Sequence, residues 1–269
     1  MTHSWRIYTD MDGTLLDHHD YNWNAAKPLL KKCQAEEIPV IPNTSKTPAE
    51  LAHWFPRLGL PTFAVVENGG MVLLPRTHEW WRTHRSDWSE GDVAGKLLGR
   101  PYDDICAWLD AMRLKEGFQC QGFHDADVDT VVAWTGLTPE EAQQAKRRQC
   151  SEPIFWEDDA DALKRLMRAA QAEGLQLQQG GRFLHLSDNT NKATGMAWLE
   201  TILPGKGVTI ALGDGGNDIP MLEAADFAVA VRNAHGTHVA IQQPQTYFTK
   251  QAGPAGWAEG LVYWLNLEE

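Results

Sequence analysis

Short apolar runs alternate with stretches of helical spacing at the start of the chain, and the same rhythm returns near its end. Trp5-Arg6-Ile7-Tyr8-Thr9 is rich in aromatic and β-branched residues and predicts a strand that stops at Asp10-Met11-Asp12-Gly13. From about Asn24 to Glu36, Ala25, Leu29, Leu30 and Cys33 share one helical face. Ile38 to Pro42 is apolar again and ends at Asn43-Thr44-Ser45-Lys46-Thr47-Pro48. There Thr47 reads as a helix cap, with Pro48 in the first helical position and Glu50 in the first turn. Phe63 to Val66 predicts a third buried strand, closed by Glu67-Asn68-Gly69-Gly70. Late in the chain, Lys192 to Ile202 predicts a helix and Gly207 to Leu212 a strand that ends in Gly213-Asp214-Gly215-Gly216-Asn217-Asp218. A short helix (Ile219 to Ala225) and a strand (Phe227 to Val231) follow. Nearly continuous apolar strands alternating with helices indicate an α/β fold whose parallel sheet is covered on both faces.

The rhythm changes after about Arg82. Leu97 to Glu116 and Pro139 to Arg148 predict helices, and Ala160 to Glu173 places Leu163, Leu166, Met167 and Ala170 on one face, with Gly174 as the stop. Gln176-Leu177-Gln178 and Arg182 to Leu186 alternate as half-buried strands do, around a turn at Gly180-Gly181. This predicts an inserted α+β domain over residues 83–188, within a first domain formed by residues 1–82 and 189–269.

Composition narrows the classes. With 269 residues, 43% hydrophobic and 22% charged, the chain is an ordinary globular one. Its net charge of −12 argues against a nucleic-acid binder, although a locally positive site can still take a small anion. Cys33, Cys106, Cys120 and Cys150 form no C-x-x-C pair, so free thiols and a reducing compartment are expected. The N-terminus lacks the pattern of a signal peptide, and no run approaches the roughly 18 apolar residues of a membrane span. The expected location is the cytoplasm, with no membrane partner. Most of the twelve tryptophans are expected in the core.

The polar groups that end these strands carry the chemistry. In an open parallel sheet, ligands bind beyond the carboxyl ends of the strands. Asp10, Asp12, Asp214 and Asp218 would gather there with too much negative charge to stand alone. A hard divalent cation resolves this, and oxygen-only donors select Mg2+ over zinc. Lys192 opens a helix, where a cation opposes the helix dipole, so an anion beside it is expected. The run from Gly213 is not the dinucleotide fingerprint, because it lacks the third glycine.

Asp10-Met11-Asp12-Gly13-Thr14 resembles the D-x-D-G-T nucleophile motif of the haloacid dehalogenase superfamily of phosphatases, and Gly213 to Asp218 resembles its G-D-G-x-N-D motif. Thr44 and Lys192 resemble its second and third motifs, and Glu67 to Gly70 the turn of the branch with a cap between the second and third motifs. The resemblance implies a Rossmann-like three-layer core with an inserted cap. It is nearest to the mannosyl-3-phosphoglycerate phosphatases, through Thr44-Ser45-Lys46-Thr47 and, more weakly, Arg147 to Pro153 and Gly181 to His185.

This resemblance implies that Asp10 attacks phosphorus, that Asp12 gives a proton to the leaving alkoxide, and that Thr44 and Lys192 hold the phosphoryl oxygens. It implies a Mg2+ ion held by the Asp10 carboxylate, the Asp12 backbone carbonyl and Asp214. Asp218 and Asn217 stand nearby, Asp218 either behind a metal-bound water or orienting Lys192. Ser45, Lys46, Arg148, Ser151 and Arg182 are expected to bind substrate, a glycerate carboxylate being suited to an arginine fork. The implied partner is a small phosphorylated sugar or glycerate. Another sugar-phosphate phosphatase, a phosphohexomutase, or a receiver-like module phosphorylated on Asp10 without turnover remain open.

Overall fold

The computed structural model describes residues 4–179 and 183–266. In chain order, its early elements are β1 (Trp5–Thr9), α1 (Lys27–Ala35), β2 (Val40–Pro42), α2 (Pro48–Leu58), β3 (Ala64–Val66), β4 (Met71–Pro75), β5 (Trp88–Glu90) and β6 (Val93–Leu97). Then come α3 (Tyr102–Glu116), β7 (Cys120–Gly122), α4 (Val128–Thr135), α5 (Pro139–Ala145), β8 (Ser151–Trp156), α6 (Ala160–Ala172), β9 (Leu175–Gln179) and β10 (Leu184–Asp188). The last are α7 (Lys192–Glu200), β11 (Val208–Gly213), α8 (Ile219–Ala224), β12 (Phe227–Arg232), β13 (Thr246–Ala252) and α9 (Gly253–Leu265). They form two compact units.

The first unit holds the chain up to Thr44, Leu58–Val65 and everything from Asn191 onward. Its sheet has five parallel strands in the order β13-β12-β11-β1-β2. The strands are apolar along their whole length because both faces are covered: Ile7, Tyr8, Ile210, Ala211, Leu212 and Ala228 to Val231 are all buried. After β1 the chain crosses to β2 on one side; after β11 it crosses to β12 on the other. Adjacent strands that send the chain in opposite directions open a crevice at their carboxyl ends. Asp10 directly follows β1, and Asp214 directly follows β11.

Several expectations for this unit change. Helix α1 starts at Lys27, so Ala26 is buried and Ala25 is exposed. Strand β3 is not part of the parallel sheet; Val65 makes one parallel bridge to Asn43, beyond β2. Strand β13 and α9 were not predicted, although α9 buries Trp257, whose indole N–H donates to Thr9 Oγ1 at 3.0 Å.

The second unit comprises Ser45–Arg57 and Val66–Thr190. Its strand pairings are antiparallel: β4 with β6 and β6 with β5, then the order β7-β8-β10-β9. The second sheet is covered by α3 and α6 through Ile105, Leu109, Ile154, Ala170, Leu175, Leu184 and Leu186. Thr47 caps α2 as predicted, accepting from Glu50 N at 3.1 Å while Glu50 Oε2 accepts from Thr47 N at 2.8 Å. Leu97 ends β6 instead of opening a helix, and α3 begins after Pro101. Helix α5 stops at Ala145, and α6 turns Ala162, Leu166 and Ala170 inward, leaving Met167 46% exposed. The predicted turn at Gly180-Gly181 lies outside the described residues, between antiparallel β9 and β10.

Only Trp54 and Trp257 of the twelve tryptophans are buried; the others are half-buried. No disulfide joins the four cysteines. Among the described residues, no helix is long and apolar enough to cross a membrane.

Candidate active site

At the crevice of the first unit, carboxylate oxygens of Asp10, Asp214 and Asp218 lie within 4.8 Å of one another. Lys192 stands among them with 0% of its surface exposed. Its Nζ donates to Asp10 Oδ1 at 2.6 Å and to Asp218 Oδ1 at 2.5 Å. The lysine opens α7, where its charge opposes the helix dipole, and the protein's own carboxylates offset it. Burial pulls its pKa down, but Asp10 and Asp218 outweigh burial and hold it above the ordinary lysine value. Its backbone is fixed as well, with Asn43 Nδ2 donating to Lys192 O at 2.9 Å.

Asp218 is oriented at both oxygens. Oδ1 receives Lys192, and Oδ2 accepts from the backbone N–H groups of Asp214 at 3.0 Å and Gly215 at 2.8 Å. Asp214 is positioned by Thr14, whose Oγ1 donates to its Oδ1 at 3.0 Å. Burial, then the charge of Asp218, pushes the Asp214 carboxyl up to about 7, with Asp12 adding to the effect. Burial and Asp218 also push Asp10 well above the usual carboxylate range, against the pull of Lys192.

The half-buried Asp12 lies on a tight turn closed by Gly13 N to Leu16 O at 2.8 Å and Leu16 N to Met11 O at 2.7 Å. Gly13 has φ +80°, and a Cβ there would lie 2.6 Å from Asp214 Oδ2. Only glycine allows the turn to approach the carboxylate this closely. Thr44 is buried, its backbone N–H donating to Val65 O at 3.0 Å, and Asn217 is half-buried on the turn before α8.

Three acidic side chains surround one buried ammonium, so the negative charge of Asp218 adds to burial in raising Asp10 and Asp214. Oxygen donors alone, with Asp12 adjoining, fit a hard divalent cation of the Mg2+ type.

The second unit holds Ser45, Lys46, Arg148 and Ser151. Arg148, expected to read a substrate carboxylate, is buried and internally engaged. Its Nε donates to Ser151 O at 2.7 Å, and its Nη2 to Ser45 O at 3.0 Å and Ser151 Oγ at 2.8 Å. Ser151 Oγ donates in turn to Glu67 Oε2 at 2.8 Å. These bonds engage Arg148 and Ser151 within the second unit. Lys46 is buried, 3.7 Å from Glu50 Oε1. Arg182 lies outside the described residues.

Glu67 organises this region. Fully buried, it accepts from Gln149 N at 2.7 Å, Cys150 N at 3.0 Å and Ser151 Oγ, while its own N–H donates to Lys46 O at 3.0 Å. Glu67 and Asn68 both have positive φ, 49° and 56°, a strained conformation that these bonds hold in place. Sequence reasoning assigned no role to Thr14, Asn43 or Glu67; each lies inside or beside a quoted motif, which was the available signal.

A parallel sheet with its switch point between β1 and β11, and a lysine-bearing acidic cluster at that point, defines an α/β protein with a carboxylate-based centre. A sequence profile of the haloacid dehalogenase-like hydrolases matches residues 7–94 and 156–254, and the chain belongs to that family. BT1666, a phosphatase of this superfamily from Bacteroides thetaiotaomicron, is similar over 97% of this chain and 95% of its own, with 20% identity and a TM-score of 0.69. The sucrose-phosphatase of Synechocystis sp. PCC6803, solved with sucrose and phosphate, is similar over 97% and 98%, with 15% identity and a TM-score of 0.63. The subclass IIB sugar phosphatase BT4131 is similar over 97% and 99%, with 16% identity and a TM-score of 0.65. At these identities the likeness is one of fold.

Proposed function

We propose that the protein is a Mg2+-dependent phosphomonoester hydrolase working through an aspartyl-phosphate on Asp10, with mannosyl-3-phosphoglycerate as substrate. The carrying observation is the Asp10 carboxylate, held by Lys192 Nζ at 2.6 Å beside Asp214 and Asp218.

Attack by Asp10 on phosphorus forms an acyl–phosphate bond and breaks the bond to the ester oxygen of the substrate, here the glycerate 3-oxygen, which takes a proton from Asp12. Asp12 then takes a proton from water as the water oxygen attacks phosphorus. The bond to Asp10 breaks, freeing phosphate and restoring the carboxylate. Lys192 and Thr44 hold the phosphoryl oxygens through both steps. Asp218, with both oxygens engaged, orients Lys192 and the 214–215 backbone, and Asn217 supports the same turn. The cation would be held by Asp10, the Asp12 carbonyl and Asp214, and when bound it supplies positive charge opposite the phosphoryl group.

Residues 83–188 serve as the cap, and Ser45, Lys46 and Arg182 read the part of the substrate away from the phosphate. The Thr44 to Thr47 motif favours the glycerate-bearing substrate. The engagement of Arg148 favours a second reading, a phosphatase of other sugar phosphates, because it removes one carboxylate-reading arginine.

Phosphate release with Mg2+ from mannosyl-3-phosphoglycerate and a panel of hexose phosphates tests both. The substrate assignment predicts highest kcat/KM for mannosyl-3-phosphoglycerate; a hexose phosphate turned over faster refutes it and leaves the hydrolase reading standing. Release of p-nitrophenol from its phosphate should vanish in Asp10→Asn. Equal rates in that variant and the wild type would remove Asp10 as nucleophile.

A further inference from the structure

A second cluster of chemically distinct donors lies in the second unit, apart from the acidic crevice. Cys106 sits on α3, His124 just past β7 and Glu152 on β8. A sulfur, a ring nitrogen and a carboxylate oxygen from these three lie within 4.8 Å of one another. Cys106 and Glu152 are buried and His124 is 18% exposed at its side chain, so the cluster is enclosed with one open side. His124 Nδ1 lies 2.7 Å from Glu152 Oε1, which also accepts from His124 N at 2.9 Å. Gly122 leaves room for this: a Cβ there would fall 2.0 Å from Glu152 Oε1 and 2.8 Å from His124 Nδ1.

We propose that Cys106, His124 and Glu152 form a zinc site. Thiolate, imidazole and carboxylate are the three zinc ligand types, and three protein ligands leave the fourth tetrahedral position for water. The surroundings match what orients such ligands. A metal-bound histidine donates its far N–H to a carboxylate. His124 Nε2 lies 3.1 Å from both Asp110 Oδ1 and Asp125 Oδ1, and Arg113 Nη2 holds Asp125 Oδ1 at 3.0 Å. The Tyr102 hydroxyl donates to Glu152 Oε2 at 2.6 Å, leaving Oε1 for the ion.

The sulfur decides the metal, because thiolate selects zinc over magnesium. The Asp10 cluster offers oxygen only, so the two sites take different ions. Zinc binds imidazole nitrogen and thiolate in their deprotonated forms, so His124 Nδ1 and Cys106 Sγ would be the ligand atoms while Nε2 keeps its proton for Asp110 or Asp125. The bound ion would tie α3 to the turn after β7 and to β8.

The full-length protein in excess Mg2+ is titrated with Co2+, then with Zn2+. A thiolate-to-cobalt charge-transfer band should appear, saturate at one ion per chain and disappear as Zn2+ replaces it. The band should be lost in Cys106→Ser and retained in Cys120→Ser. X-ray absorption of the zinc-loaded wild type should show one sulfur at about 2.3 Å, a readout that decides the matter if Cys106→Ser does not fold. No band in the wild type, a band unchanged in Cys106→Ser, or a sulfur-free zinc shell would each show that the cluster is only a hydrogen-bonded clamp.

Discussion

Replacing Lys192 with methionine keeps much of the side chain's volume and removes its charge. The ammonium is fully buried and carries two short bonds, 2.6 Å to Asp10 and 2.5 Å to Asp218. Without it, two buried carboxylates face each other and Asp214 with no ammonium among them. Breaking a buried ion pair by removing one partner costs about 3–5 kcal/mol, against at most about 1 kcal/mol for an exposed pair. In a chain of this length, 1 kcal/mol moves the melting temperature by about 2–4 °C, so Lys192→Met should melt about 6–20 °C below the wild type. The comparison belongs in EDTA, so that no cation substitutes for the ammonium. Turnover should fall by about 10²–10³, the scale for losing one donor to a charged transition state. Differential scanning calorimetry and the p-nitrophenyl phosphate assay read the two effects. A variant melting within about 2 °C of the wild type would refute the assignment of Lys192 as the counter-charge of the cluster.

Glu67→Gln should lower stability in urea by about 3–5 kcal/mol, because a buried carboxylate receiving three hydrogen bonds and lying 3.7 Å from Arg148 loses its charge; Glu90→Gln, which breaks an exposed pair with Arg147, should cost under about 1 kcal/mol. Gly13→Ala should fold but require far more Mg2+ for half-maximal activity, since its methyl group would fall 2.6 Å from Asp214 Oδ2; an unchanged Mg2+ dependence would contradict the close approach. Burial and then Arg148 hold the half-buried His185 down to about 3, so it stays neutral in the fold while the unfolded chain takes up a proton below about 6.5. Stability from this residue is therefore present above pH 6.5 and is lost as the pH falls, by about 2 kcal/mol at pH 5. Urea midpoints at pH 7 and pH 5 should differ less in His185→Gln than in the wild type, and equal differences would count against the shift.

Local periodicity and turn chemistry made much of the first unit legible. Its continuous apolar strands and the acidic ends of β1 and β11 are written in neighbouring residues, as is the Thr47 cap of the second unit, and a parallel sheet must bury such strands on both faces. Where spacing was the only guide it erred by one residue, as at Ala25 and Met167, because burial on a helix depends on what packs against it. Leu97 joined a strand through pairing with Met71, a partner distant in the chain.

The candidate site divides in the same way. Asp10, Asp12, Asp214 and Lys192 could be picked out along the chain because motif spacing preserves the chemistry each strand end presents. That Asp218 has both oxygens engaged, that Arg148 is locked to Ser45 and Ser151, and that Glu67 ties the Lys46 carbonyl to the 149–151 backbone follow from contacts between distant segments. A hydrogen-bond donor has a fixed number of protons, and folding alone determines which distant acceptors take them.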